Sequence, residues 1–105
     1  MAFEVHTTAA FEEDVEATLA YLSGSLGSPA AAESLMEAID QAELLLRDQP
    51  FIHAVSGKSG CAEHAYRTHC VKNYVIVYKV EGDEVWLLRL FHQTQLYERF
   101  VMDWS

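Results

Sequence analysis

Basic residues are nearly missing from the first half of this 105-residue chain: residues 1–50 carry ten acids and one base, Arg47. Residues 51–105 balance six acids with six bases, so the formal charge of −9 belongs to the first half. Such a field repels nucleic acid, and a surface that meets phosphate has to be built from the second half. Cysteine is almost as scarce. Cys61 and Cys70 are too few for a disulfide scaffold, and free thiols in a reducing compartment are the expectation. No stretch approaches the ~20 apolar residues needed to span a bilayer. Met1-Ala2-Phe3-Glu4-Val5-His6 has no basic patch, and no long apolar run or small-residue cleavage site follows it. Together these absences predict a cytoplasmic protein with no membrane partner. Internal repeats and low-complexity segments are missing too.

What is present is an ordinary globular mixture. Half of the residues are apolar and 22% are charged, which suits one domain over residues 1–105. A chain of this length buries only roughly two-thirds of its unfolded surface, so its core is modest.

Residues 3–7 alternate apolar and polar side chains, as a short half-buried strand does. Thr7 or Thr8 can cap a helix whose first turns carry Glu12, Glu13 and Asp14, where acids suit the helix dipole. Phe11, Val15, Leu19 and Leu22 recur at helical spacing, and Ser23-Gly24-Ser25-Leu26-Gly27 ends that helix. Ser28-Pro29 opens a second helix with a hydroxyl cap and a proline in its first turn. Leu35, Ile39, Ala42 and Leu46 form its buried stripe, widened by Met36 and Leu45. Gln49-Pro50 stops it, because the residue before proline resists the helical conformation.

The remainder reads as sheet. A strand is expected from Tyr66 to Val71, and a strong one from Tyr74 to Val80, rich in β-branched and aromatic residues. Glu81-Gly82-Asp83 makes a tight turn, and Val85 to Phe91 returns as the partner strand. Leu96, Tyr97, Phe100, Val101 and Trp104 predict a short final helix or packed tail. The fold class is therefore α+β, in the order β-α-α-β-β-β, with an antiparallel sheet packed on an N-terminal helical hairpin. Both faces of the central strands are apolar, so the face that the helices cover stays open.

Two phosphate or metal signatures fail on context. Gly57-Lys58-Ser59 lacks the upstream glycine and the strand-to-helix setting of a P-loop. Cys61-x-x-His64 has zinc-like spacing, but strand alternation turns His69 away from His64 and Cys70. No metal and no cofactor are expected.

The element order, the run Val71-Lys72-Asn73-Tyr74-Val75-Ile76-Val77-Tyr78-Lys79-Val80, and the stretch from Leu88 to Glu98 resemble the RelE/ParE toxin superfamily. The resemblance is sharpest over residues 66–98. It implies the toxin half of a bacterial type II toxin–antitoxin pair, held silent by a cognate antitoxin, with a homodimer or a toxin–antitoxin hetero-oligomer as its assembly. RelE-like members cut messenger RNA on the ribosome without a metal; ParE-like members inhibit DNA gyrase and are not nucleases.

Metal-free RNA cleavage needs a base for the 2′-hydroxyl, cations for the phosphate and an acid for the leaving oxygen. The resemblance assigns these roles to Arg67, Lys72, Arg89, His92 and Tyr97. Histidine is the side-chain type best suited to acid–base work near neutral pH, which singles out His92 in this set. Arg89, inside an apolar strand, can equally pair with a helix carboxylate. After the last strand, where many members carry consecutive bases, this chain has Gln93-Thr94-Gln95. The reading taken first is the RelE type, a ribosome-dependent endoribonuclease with ribosome and messenger RNA as partners; the alternatives are the ParE type, a gyrase inhibitor without nuclease activity, and an attenuated member that only binds antitoxin. The first requires Arg67, Lys72 and His92 to converge on one phosphate; the second does not. For the antitoxin, the expected contact set is Leu96, Tyr97, Phe100, Val101 and Trp104.

Overall fold

The computed structural model describes residues 3–53 and 65–93. Strand β1, Glu4–Thr7, leads directly into helix α1, Ala9–Ala20. Thr8 is the cap: its hydroxyl accepts the Phe11 N–H at 3.0 Å, satisfying one of the donors that a helix start leaves unpaired. One π-helical turn, Tyr21–Ser25, extends α1, and Gly27 then takes the left-handed conformation (φ 68°) that lets the chain reverse. Ser28 caps α2, Pro29–Asp48, by accepting the Ala31 N–H at 3.2 Å.

The α2 stripe is buried as expected at Leu35, Ile39, Ala42 and Leu46. Met36 departs from expectation and is 51% exposed. It lies one residue, about 100° of helix, round from Leu35, which carries it off the sheet-facing stripe and onto the flank beside α1.

Strands β2 (Arg67–Val71), β3 (Tyr74–Glu81) and β4 (Glu84–His92) pair antiparallel. β1 joins the free edge of β4 in parallel, with Glu4 beside Glu84 and Thr7 beside Leu87. The sheet order is β1-β4-β3-β2, so the complete sheet is mixed. Ile76, Tyr78, Val85, Leu87 and Leu90 face the helices and join their stripes in one core cluster. The alternate positions Val75, Val77, Leu88 and Phe91, with Tyr66, form a second buried cluster on the opposite face. Two-sided burial explains why the central strands are apolar on both faces. The expected final helix or tail, with Leu96, Tyr97, Phe100, Val101 and Trp104, lies outside the described residues.

β4 is longer than β1, so its outer edge runs on past the last β1 partner, Leu87. The start of α1 takes over there. Thr8 N–H donates to the Leu87 carbonyl at 3.1 Å, and the Thr8 hydroxyl donates to the Leu88 carbonyl at 2.8 Å. Asp14 Oδ2 accepts the Leu90 N–H at 3.0 Å and Arg89 Nε at 2.7 Å, while Oδ1 accepts Arg89 Nη2 at 3.1 Å. A bulge at this level leaves Leu88 without a partner opposite and sets Arg89 across from Val77.

The Asp14 and Arg89 side chains are only 19% and 24% exposed, so this pair lies between a surface ion pair and a buried one. Asp14→Ala leaves a guanidinium and a strand N–H without their acceptor, and should cost about 2–3 kcal/mol in urea unfolding. Asp14→Asn, which keeps one acceptor oxygen, should cost less. Equal stability of the alanine variant and the parent would remove this role.

Candidate functional site

Strand register puts Arg67, His69 and Val71 on the helix-facing side of β2, in one row. The chain leaving α2 crosses this row and is held there by side chains of β2, β3 and the start of the chain. Tyr78 Oη donates to the Pro50 carbonyl at 3.0 Å. Arg67 Nη1 donates to the His53 carbonyl, and its guanidinium lies over the Phe51 ring at 5.0 Å. Phe51 also meets the edge of Phe3, with ring centroids 5.8 Å apart.

This path brings together two histidines sixteen residues apart. His53 Nε2 and His69 Nδ1 approach to 2.8 Å, so one nitrogen donates a proton and the other accepts it. Burial, and secondarily His53, lowers the His69 pKa below its usual value. A neutral imidazole hydrogen-bonded to a second imidazole beside a guanidinium is a pair that can take and return a proton next to an anion. Burial likewise raises the Tyr78 phenol, opposed by the Arg67 charge.

The residues expected to act on phosphate do not gather. Arg67 pairs in register with Tyr78, and His92 with Tyr74, two strands away. Strand geometry makes their separation on the order of 16 Å. Lys72 is exposed in the turn between β2 and β3, at the His92 end of the sheet, with a left-handed φ of 55°. His92 meets the Tyr74 ring edge-on at 5.3 Å. Arg89 takes the other role open to it, pairing with Asp14. Tyr97 lies outside the described residues.

No local feature of the sequence points to His53, and His69 enters it only through the zinc-like grouping with Cys61, His64 and Cys70. The available signal was the shared inward phase of His69 and Val71 on β2. Nothing local placed His53 opposite, because that contact depends on the path after Pro50. Cys61 and His64 lie outside the described residues, and Cys70 is exposed on the strand face opposite His69. Among the described residues no three His, Cys, Asp or Glu side chains group to hold a metal ion. Nor is any described helix long and apolar enough to cross a membrane.

Residues 5–97 match the family model described as the ParE toxin of the type II toxin–antitoxin system parDE. No curated protein matches the chain. Among solved structures it is similar to the chromosomal ParDE system from Pseudomonas aeruginosa, at 19% identity and a TM-score of 0.69, covering 87% of this chain and 96% of that one. A copper-bound mutant toxin from Helicobacter pylori is similar at 22% identity and a TM-score of 0.60, covering 90% and 98%. Escherichia coli YafQ is similar at 17% identity and a TM-score of 0.56, with the same coverage. At these identities the likeness is one of fold.

The lowered His69 pKa has a consequence for stability. The folded chain holds its proton less tightly than the unfolded chain, so stability rises with pH through this window. The contribution is complete above the unfolded value near 6.5 and declines as pH falls below it. His69→Gln should therefore flatten the pH dependence of Tm between about pH 6.5 and 5 relative to the parent. Parallel curves for the two proteins would show that His69 titrates alike in both states.

Proposed function

Because the chain belongs to the family of ParE toxins of type II toxin–antitoxin systems, we propose that it arrests growth by binding a protein target, DNA gyrase, and is silenced by a cognate antitoxin. The observation that carries this reading is the dispersal of its cations. Among the described residues of the sheet, Arg67 is held on a carbonyl and an aromatic ring, Arg89 on Asp14, and Lys79 on Glu81 at 2.8 Å. Lys72 stands at the opposite end of β2 from Arg67. An RNA-cleaving site needs several cations focused where charge develops in the transition state, and these do not share one place. The charge of −9 adds to the case, since it opposes unaided binding of RNA.

One observation favours a second reading, messenger RNA cleavage. His53 and His69 form an acid–base pair beside Arg67, with the exposed Phe51 ring available for stacking a base. In that case the chemistry sits at this pair and not at His92.

Controlled expression without antitoxin separates the two. Primer extension on cellular messages and a plasmid-supercoiling assay would be run on the same cultures. Arrest with altered supercoiling and intact messages is the expected result. Codon-spaced cleavage that disappears in His69→Ala would overturn the gyrase reading in favour of the nuclease. The family resemblance also supports antitoxin contact at Leu96, Tyr97, Phe100, Val101 and Trp104. Replacing Tyr97 and Trp104 together with alanine should weaken that complex about tenfold or more in a titration. Unchanged affinity would take both residues out of the interface.

A further inference from the structure

Two tight turns of the sheet share one shape and differ in residue type. β2 and β3 meet at the pair Val71–Tyr74, with Lys72 and Asn73 between them; β3 and β4 meet at the pair Glu81–Glu84, with Gly82 and Asp83 between them. The first turn residue has a left-handed φ in each, 55° at Lys72 and 56° at Gly82, and the second residue does not. This is the type II′ pattern, in which the first position favours glycine. Gly82 follows the rule. Lys72 breaks it, and its Cβ is crowded against the following carbonyl.

Neither pairing nor solubility accounts for the lysine. It is exposed, and among the described residues it forms no ion pair, whereas Lys79 and Arg89 each hold a carboxylate. A chain of charge −9 moves closer to neutrality with each added base, so Lys72 does not serve solubility. The acids of the helices stand elsewhere: Glu12, Glu13, Glu16, Asp40 and Glu43 line the gap between α1 and α2. Lys72 instead lines a recess of about 400 Å³ between α2 and β2, beside Gln41, Leu45 and Cys70, with no carboxylate in its wall. The turn is also firmly placed, since the Gln93 N–H donates to the Asn73 carbonyl at 2.9 Å.

An unpaired ammonium kept where glycine would be more stable has its use outside the chain. We infer that Lys72 is a binding residue for the protein target, where it meets a carboxylate on that target's surface. The inference rests on the gyrase reading and adds to it a residue that makes the contact. A carboxylate suits a single lysine, which pairs as a point charge. A nucleic-acid backbone needs several cations in line and is opposed by the charge of the rest of the chain.

The test exchanges residues between the two turns in the intact chain and titrates each purified protein into a gyrase supercoiling assay. Lys72→Gly should raise Tm by about 3–5 °C and raise the half-inhibiting concentration about tenfold. Lys72→Arg, which keeps both the charge and the backbone conformation, should bring inhibition back to within about threefold of the parent. Gly82→Lys, the reciprocal change at the other turn, should lower Tm and leave inhibition as in the parent. The parent should lose potency as salt rises, and Lys72→Gly should lose less. Undiminished inhibition by Lys72→Gly, or an equal loss in Lys72→Arg, would overturn the inference while the gyrase reading stands. A lower Tm for Lys72→Gly would overturn it as well, because the lysine would then cost the turn nothing. A parent that leaves supercoiling unchanged would overturn the gyrase reading itself, and this contact with it.

Discussion

One carboxylate decides how the sheet ends. Asp14 accepts both the Leu90 N–H and the Arg89 guanidinium, and so stands in for a strand that β1 is too short to provide. Without it, the outer half of β4 would present unpaired backbone donors to solvent, as a sheet edge open to association does. The same contact sets the position of α1, because Thr8 and Asp14 grip β4 at two levels. With α1 fixed there and α2 seated through Leu35, Ile39, Ala42 and Leu46, a gap between the two helices follows from the architecture.

The helix-facing side of β2 follows a different logic. Its row of Arg67, His69 and Val71 receives the chain after α2, and the polar members of the row supply the means to hold it. Arg67 is thereby a structural cation as much as a chemical one. Its placement on the His53 carbonyl and the Phe51 ring is what brings two imidazoles to hydrogen-bonding distance. Among the described residues no such crossing covers the end of the sheet with Lys72 and His92, and its polar groups stay apart from those at the Arg67 end.

Most of the fold was legible in the sequence, because the signals were local. Caps at Thr8 and Ser28, the stop at Pro50 and the β-branched run of β3 each name an element through their own chemistry. The parallel addition of β1 to β4 was not legible, since four residues of alternating polarity carry no sign of their partner. The exposure of Met36 was not legible either, since an apolar side chain at the border of a stripe can belong to either flank. The candidate site was harder to read. Arg89 had two available roles, and the choice rested on Asp14, 75 positions earlier. His53 and His69 meet only through the path after Pro50, which periodicity does not describe. Charge segregation, by contrast, needed no contact information, and it survives in the structure as acid walls on both helices.

The pairing of β1 with β4 also bears on when the molecule comes into being. β1 finds no partner until residues 84–87 have been synthesised, and Thr8 reaches across 80 positions to close on Leu88. During translation the helical hairpin can form from its own residues, while β1 waits as an unpaired segment. Contacts so distant along the chain make the last closure slow relative to helix formation. A growing chain, or one truncated before β4, therefore cannot assemble the sheet edge, and birth of the native surface waits for the synthesis of β4.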